Sequence, residues 1–119
     1  MFSETLIDHF TNPRNVGSLS EPGFTVTVEN PACGDTLCLS VRFDGDRVQE
    51  ARYQTRGCTA SIAAGSALTE WLRGRDRQEM ASLEPEDMER ELGGVPPSSR
   101  HVAVLCVDAV RAILKAGSR

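Results

Sequence analysis

The sequence has no apolar run that approaches the roughly 18 residues of a membrane span, and Lys115 is its only lysine. It contains no Lys/Arg block, and 17 acidic against 13 basic side chains leave a formal net charge of −4. Because nucleic-acid binding needs a basic face toward the phosphates, this balance argues against nucleic acid as the main partner. We therefore expect a chain that binds neither membranes nor nucleic acid.

Length and cysteine content limit the remaining classes of protein. The 119 residues suit one domain over positions 1–119, with a modest core and a shallow site. The first four residues, Met1 to Glu4, have neither the basic nor the apolar part of a secretory signal, so we expect a cytoplasmic protein. In a reducing compartment, the four cysteines are expected to bind metal or to react rather than to form disulfides.

The first half of the chain predicts a short helix followed by a small sheet. Residues 3–11 show helical spacing of Leu6, Ile7 and Phe10, with Ser3 as N-cap. Apolar and polar residues then alternate over 24–29 and 37–43, and a hairpin turn at 44–46 leads to a third strand over 48–55. The apolar parity changes after Val48, which predicts a bulge or an irregular edge in that strand.

The second half predicts helices. One helix begins after Gly57, lies with one apolar face on the sheet and ends near Gly74. Residues 76–92 predict two short helices broken at Pro85, and Ser98 or Ser99 is expected to cap a last helix that runs to about 116. The predicted fold class is α+β, a three-stranded antiparallel sheet packed with helices.

Candidate ligands fall where these predicted elements meet. Cys33 and Asp35 flank Gly34 in the turn between the first two strands, Cys58 precedes a helix, and His101 lies in the first turn of the last helix. Thiolate, imidazole and carboxylate together are the ligand set of zinc or an iron–sulfur cluster. Cys38 points away from the apolar face of its strand, so we expect no ligand role for it.

Several motifs share their order and spacing with one known family. They are Asn12-Pro13-Arg14-Asn15-Val16-Gly17, Asn30-Pro31-Ala32-Cys33-Gly34-Asp35, Gly57-Cys58, Thr69-Glu70-Trp71 and Val95-Pro96-Pro97 leading to His101. In these motifs the chain resembles the U-type iron–sulfur cluster assembly scaffolds, IscU and the N-terminal domain of NifU. The resemblance implies a carrier rather than an enzyme. Such a carrier takes sulfur from a cysteine desulfurase, holds a transient [2Fe-2S] cluster or zinc, and serves apo-protein acceptors with the help of a chaperone.

The same resemblance implies the site residues. Cys33 and Cys58 match cluster ligands, Asp35 matches the aspartate associated with metal ligation and cluster lability, and His101 matches an additional ligand. The family has a third cysteine directly after this histidine, where the present sequence has Val102. The family lysine two residues before the histidine is also missing.

Cys106 is the ambiguous residue. It lies one helical turn beyond Val102 and on nearly the same face, so it can replace the missing ligand. The apolar stripe that includes it indicates equally that Cys106 packs in the core. The loss of the third cysteine leaves an alternative function open, a degenerate scaffold that binds zinc or no metal and docks to a desulfurase. A zinc hydrolase is disfavoured because the chain predicts no substrate pocket.

Overall fold

The computed structural model describes residues 2–21, 23–31 and 34–117. Its elements follow one another as α1 (Glu4–Thr11), β1 (Phe24–Glu29), β2 (Thr36–Asp44), β3 (Arg47–Arg56), α2 (Thr59–Leu72), α3 (Arg77–Ala81), α4 (Pro85–Glu91), a 3-10 turn (Pro97–Ser99) and α5 (His101–Ala116). The order β1-β2-β3 makes an antiparallel sheet, and α2 and α5 pack on one of its faces. The α+β fold predicted from the sequence is confirmed.

The predicted bulge lies in β3. Arg42 of β2 pairs with Glu50, whereas the next residue, Phe43, pairs with Val48, so Gln49 is the extra residue on β3. The extra residue changes which face each side chain takes, and it therefore allows both Val48 and Ala51 to be buried. The bulge reconciles the two apolar parities of this strand.

Helix α2 is buried on nearly all sides, whereas the sequence predicted one buried face. The sheet covers one side and α1, α4 and α5 cover others, so even Ser66 and Thr69 are inaccessible to solvent. Small side chains make this close packing feasible. A Cβ atom at Gly65 would lie 2.3 Å from the Tyr53 ring, and the Tyr53 hydroxyl donates a 2.8 Å hydrogen bond to the Ile62 carbonyl.

Helix α1 and its Ser3 N-cap are as predicted, but its three apolar residues at helical spacing are not all buried. Leu6 is fully buried, but Ile7 and Phe10 are 48% and 40% exposed, and His9 is buried instead. An imidazole is tolerated there because its Nδ1 atom lies 2.8 Å from the Ser66 hydroxyl, which satisfies the nitrogen without water. The buried residues of this helix are therefore Leu6 and His9.

The segment after α1 protects the edge of the sheet. The backbone amide of Tyr53 in β3 donates to the Asn15 carbonyl at 2.9 Å, and the Gly17 amide donates to the Tyr53 carbonyl at 2.8 Å. Asn15 adopts a positive φ of 61°, and its side-chain amide donates to the Thr69 hydroxyl at 3.2 Å. The motif from Asn12 to Gly17 thus joins the edge strand to α2.

The last helix begins without a serine cap. Pro97–Ser99 form a 3-10 turn, and Arg100 stands at the N-cap of α5 in a helical conformation, so neither Ser98 nor Ser99 caps the helix as predicted. Two consecutive prolines favour the turn because their φ angles are already fixed. The turn makes His101 the first residue of α5. No helix in the described part of the chain is long and apolar enough to cross a membrane.

The contact between Gly65 and Tyr53 predicts a large effect of one methyl group. Gly65→Ala gains about 1 kcal/mol of helix propensity but forces the helix away from a rigid, buried ring. We expect a net loss of about 2 kcal/mol in the free energy of unfolding, measured by urea denaturation. Glu70→Ala, at an exposed position of the same helix, is the control and should change stability by less than about 0.5 kcal/mol. Equal stability of Gly65→Ala and wild type would contradict the close packing.

Candidate metal site

Three side chains of metal-ligand type converge at one end of the sheet. Asp35 stands directly before β2, Cys58 is the N-cap residue of α2, and His101 is the first residue of α5. One ligand atom from each residue lies within 4.8 Å of the corresponding atoms of the other two. The structure thus brings together three of the residues that the sequence predicted as ligands.

The carboxylate of Asp35 is the centre of this group. Asp35 is only 5% exposed, and its Oδ2 atom lies 2.9 Å from His101 Nε2 and 3.8 Å from Cys58 Sγ. A carboxylate oxygen can only accept, so this contact assigns the hydrogen of the imidazole to Nε2. The Asp35 carboxylate therefore joins residues of two different helices.

Two opposing effects set the pKa of Asp35. Burial is the largest effect and raises the pKa, because it disfavours the charged carboxylate. Hydrogen bonds from Ser61, His101 and Cys58, together with the positive charge available on His101, favour the charged form and prevail. The net result is a pKa below the ordinary aspartate value, so a carboxylate is present at neutral pH.

Gly57 leaves the space that the Asp35 carboxylate occupies. A Cβ atom at position 57 would lie 2.7 Å from both Cγ and Oδ1 of Asp35. Real Cβ atoms do not approach other atoms this closely, so any other residue would displace the carboxylate. The glycine before Cys58 is therefore required by the position of Asp35.

Cys58 is the accessible thiol of the group. It is exposed, and its backbone carbonyl accepts hydrogen bonds from the amides of Ser61 and Ile62 in the first turn of α2. A thiol at the N-terminus of a 14-residue helix lies at the positive end of the helix dipole. Accessibility and position both suit a ligand that must exchange its bound species.

Ser61 belongs to the site but was not predicted from the sequence. Its hydroxyl donates to Asp35 Oδ2 at 2.5 Å and lies 3.3 Å from Cys58 Sγ. Its position three residues after the N-cap was the feature of the sequence that could have identified it. Residues at this spacing lie on the same side of the first helical turn.

Cys33 lies outside the described residues, so its role as a ligand stays a prediction. The chain around it is closed by two backbone hydrogen bonds. Gly34 donates to the Asn30 carbonyl at 2.7 Å, and Asn30 donates to the Asp35 carbonyl at 2.8 Å. Gly34 has a φ of 73°, which favours glycine at that position.

The structure does not bring Cys106 to this group. Cys106 is 1% exposed, and its thiol donates to the Ala64 carbonyl of α2 at 3.8 Å. Val102, one turn earlier on the same helix, is also fully buried. The face of α5 that carries both residues packs into the core, which explains why a cysteine one turn after Val102 does not reach the candidate site. Burial raises the pKa of the Cys106 thiol to about 12.

Cys38 also lies away from the group. It pairs with Gln54 and Thr27 in the middle of the sheet and is half-buried. Its neighbours Leu37 and Leu39 point to the core, so Cys38 points to the opposite face. The strand position on the opposite face is as predicted, and the absence of a ligand role stays a prediction.

A small cavity opens beside His101. Its volume is about 160 Å³, and it lies between the end of β1 and the first turns of α5. The lining residues are Glu29, Asn30, Pro31, His101, Val104, Leu105 and Asp108. A space of this size admits a small ion or sulfide but no large substrate.

The burial of Cys106 predicts a difference in thiol reactivity. In native protein at pH 8, iodoacetamide should modify exposed Cys58 at least about 100-fold faster than Cys106, because labelling of Cys106 requires the core to open. Peptide mass spectrometry measures both rates. In urea the two rates should become similar. Comparable rates in the native protein would contradict the core position of Cys106.

The raised pKa of Cys106 predicts an alkaline loss of stability. The folded thiol keeps its proton up to about pH 12, whereas the unfolded thiol loses it near its ordinary value of 9.0. Between these values the unfolded state binds fewer protons, so stability falls by about 1.4 kcal/mol per pH unit. Cys106→Ala should remove this slope in urea denaturation between pH 9 and 10, below the range in which Tyr53, whose pKa burial raises from 10.0 to about 12, adds a slope of the same sign. Val107→Ala, a core truncation without a titratable group, should keep it.

Comparisons with known proteins agree with the fold and the motifs. Residues 1–117 match the family described as the NifU-like N terminal domain. The chain is 36% identical over 111 residues to Iron-sulfur cluster assembly scaffold protein IscU 1 of Archaeoglobus fulgidus, covering 93% of this chain and 72% of that protein. It is 37% identical over 117 residues to the protein named IscU in Haemophilus influenzae, covering 95% and 92%.

A solved structure shows the same fold. The N-terminal part of a NifU-like protein from Brucella abortus superposes with a TM-score of 0.76 and 20% sequence identity, covering 95% of this chain and 91% of that one. The resemblance recognised from the sequence motifs is thus confirmed over almost the whole chain. The chain belongs to the family of NifU-like N-terminal domains.

Proposed function

We propose that this chain is an iron–sulfur cluster assembly scaffold, which holds a transient [2Fe-2S] cluster and passes it to apo-proteins. The convergence of Asp35, Cys58 and His101 is the observation that supports the proposal most directly. The names of relatives from Archaeoglobus fulgidus and Haemophilus influenzae add support, because both are called iron–sulfur cluster assembly scaffold proteins.

The chemistry of the donor set fits a cargo that must leave again. Iron–sulfur clusters held permanently are usually ligated by four thiolates. Here the proposed ligands are the thiolates of Cys33 and Cys58, the imidazole of His101 and the carboxylate of Asp35. The imidazole and the carboxylate are harder donors than thiolates, and they bind a cluster less tightly. The same four donors suit zinc, which is the metal that we propose for the protein without a cluster.

The proposed partners follow from this cargo. Sulfur enters as persulfide sulfur from a cysteine desulfurase, and apo-proteins receive the finished cluster, with a chaperone assisting the transfer. An exposed Cys58 and the open cavity beside His101 leave the site accessible to such proteins. Val102 carries no sulfur, so acceptance of sulfur is left to Cys33 and Cys58.

Anaerobic reconstitution with ferrous iron and sulfide tests the proposal. Wild type should develop a visible charge-transfer absorption, and Cys58→Ala should lose most of it because a thiolate ligand is removed. Cys106→Ala is the matched control, a cysteine of the same chain that lies in the core, and it should retain the spectrum. No cluster on the wild type, under conditions that load a related scaffold, would count against the proposal. Loss of the spectrum in Cys106→Ala would contradict the proposed ligand set.

The position of Val102 favours a second candidate function. A scaffold without its third cysteine can serve as a docking or regulatory module for a cysteine desulfurase, with zinc or no metal at the site. This alternative expects zinc or no metal by elemental analysis and no sulfur transfer to any cysteine. Labelled persulfide sulfur on Cys33 or Cys58, found by mass spectrometry after incubation with a desulfurase and cysteine, would exclude it.

A further inference from the structure

Ser61 is a buried hydroxyl between two of the proposed ligands. It is 3% exposed and occupies the first turn of α2, three residues after Cys58. Its Oγ atom lies 2.5 Å from Asp35 Oδ2 and 3.3 Å from Cys58 Sγ. Ser61 thus contacts both a carboxylate and a thiol, although a serine hydroxyl is not itself a typical ligand of zinc or iron.

We propose that Ser61 is a positioning residue, which fixes the Asp35 carboxylate and the Cys58 thiol relative to each other so that both can bind one metal centre. The inference rests on the proposed function, since it concerns the same site. Ser61 acts through Asp35 and Cys58 and does not itself contact the metal.

The hydroxyl has one hydrogen and two neighbours that can accept it. At 2.5 Å the ionised Asp35 takes that hydrogen, because a carboxylate can only accept. The Cys58 thiol also donates to Asp35 Oδ2, and Ser61 Oγ lies 3.3 Å from Cys58 Sγ, so the hydroxyl is in contact with both side chains. In the protein without metal, this arrangement holds the two side chains at a fixed separation, with Sγ and Oδ2 3.8 Å apart.

Metal binding would change which groups can accept the hydrogen of the Ser61 hydroxyl. A metal-bound Cys58 would be a thiolate that no longer donates to Asp35, and the Ser61 hydroxyl would then be a donor within reach of both the sulfur and Asp35 Oδ2. Ser61 would thus keep both side chains in place while they bind the metal. Outer hydrogen bonds of this type orient ligands and adjust their strength.

Without the hydroxyl, the Cys58 thiol lies 3.8 Å from Asp35 Oδ2, and His101 is the nearest of the remaining partners among the described residues. The 2.9 Å contact with His101 would then hold the carboxylate and the imidazole to each other rather than to a metal. Removal of an outer hydrogen-bond partner typically lowers metal affinity about 10- to 100-fold. We expect a loss in this range for Ser61→Ala.

Cobalt titration of the metal-free protein is a direct test, because the visible spectrum of Co²⁺ reports both affinity and ligand geometry. Ser61→Ala should bind Co²⁺ about 10- to 100-fold more weakly than wild type and with altered d–d bands. Ser61→Thr restores a hydroxyl and should recover most of the affinity. Ser66→Ala is the matched control, because Ser66 lies in the same helix, is equally buried and contacts His9 and the Arg14 amide instead of the site. It should bind Co²⁺ with the wild-type spectrum.

A double-mutant cycle tests whether Ser61 acts through Asp35. In an Asp35→Ala background, the further change Ser61→Ala should lower affinity by much less than it does in wild type. Additive losses from the two substitutions would overturn this part of the proposal. An equal loss in Ser61→Ala and Ser66→Ala would reduce the role of Ser61 to fold stability and would also overturn it.

The outcomes separate this inference from the proposed function. If wild type binds Co²⁺ and also assembles a cluster, but Ser61→Ala has unchanged affinity and spectrum, only the role of Ser61 is refuted. If wild type binds neither Co²⁺ nor a cluster, the proposed site and the role of Ser61 are refuted together.

Discussion

The close approach of α2 to the sheet is the constraint on which the site depends. Gly65 leaves no atom between the helix backbone and the Tyr53 ring, and the Tyr53 hydroxyl is bonded to the same helix. The packing therefore fixes the position of the first turn of α2 relative to the beginning of β2. Cys58 and Ser61 are on that turn, and Asp35 stands at the beginning of β2. The geometry of the site is thus a consequence of core packing.

Asp35 connects α5, the third element of the site, to α2. Its carboxylate accepts from Ser61 of α2 and from His101 of α5, so two helices that meet in the core also meet through one oxygen atom. Gly57 is the steric condition for this arrangement. A buried carboxylate with this many donors is ordered before any metal arrives, which lowers the entropic cost of forming the site.

Much of this arrangement could be predicted from the sequence, and the exceptions share a physical cause. Strand alternation, the bulge after Val48 and the break at Pro85 are local patterns, and the structure has all three. The helical spacing of Leu6, Ile7 and Phe10 shows that they share a face but not that this face meets a neighbour, and Ile7 and Phe10 are in fact exposed. His9 is buried because Ser66, which is 57 residues distant in sequence, satisfies its ring.

Within the site, too, local features of the sequence identified some residues and not others. Asp35, Cys58 and His101 could be found because they are chemically distinctive and occur in motifs. Ser61 could not, because a serine in the first turn of a helix is common and its importance depends on Asp35, which is 26 residues distant. Whether Cys106 reaches the site also depended on the rotation of α5. The sequence places Cys106 beside Val102, and the burial of both residues shows that this face points into the core.

The burial of Val102 and Cys106 has a chemical consequence for the proposed cargo. With neither residue able to present sulfur at the surface, no more than two thiolates, from Cys33 and Cys58, remain among the proposed ligands. Oxygen and nitrogen donors must then supply the rest of the coordination, and such donors bind iron–sulfur clusters less firmly than thiolates do. The apolar face of α5 therefore does more than stabilise the core. Because this face offers no third thiolate, the proposed site would release its cluster more readily. Metal binding at the proposed site would also depend more on the orientation of Asp35 than it would if a third cysteine were present.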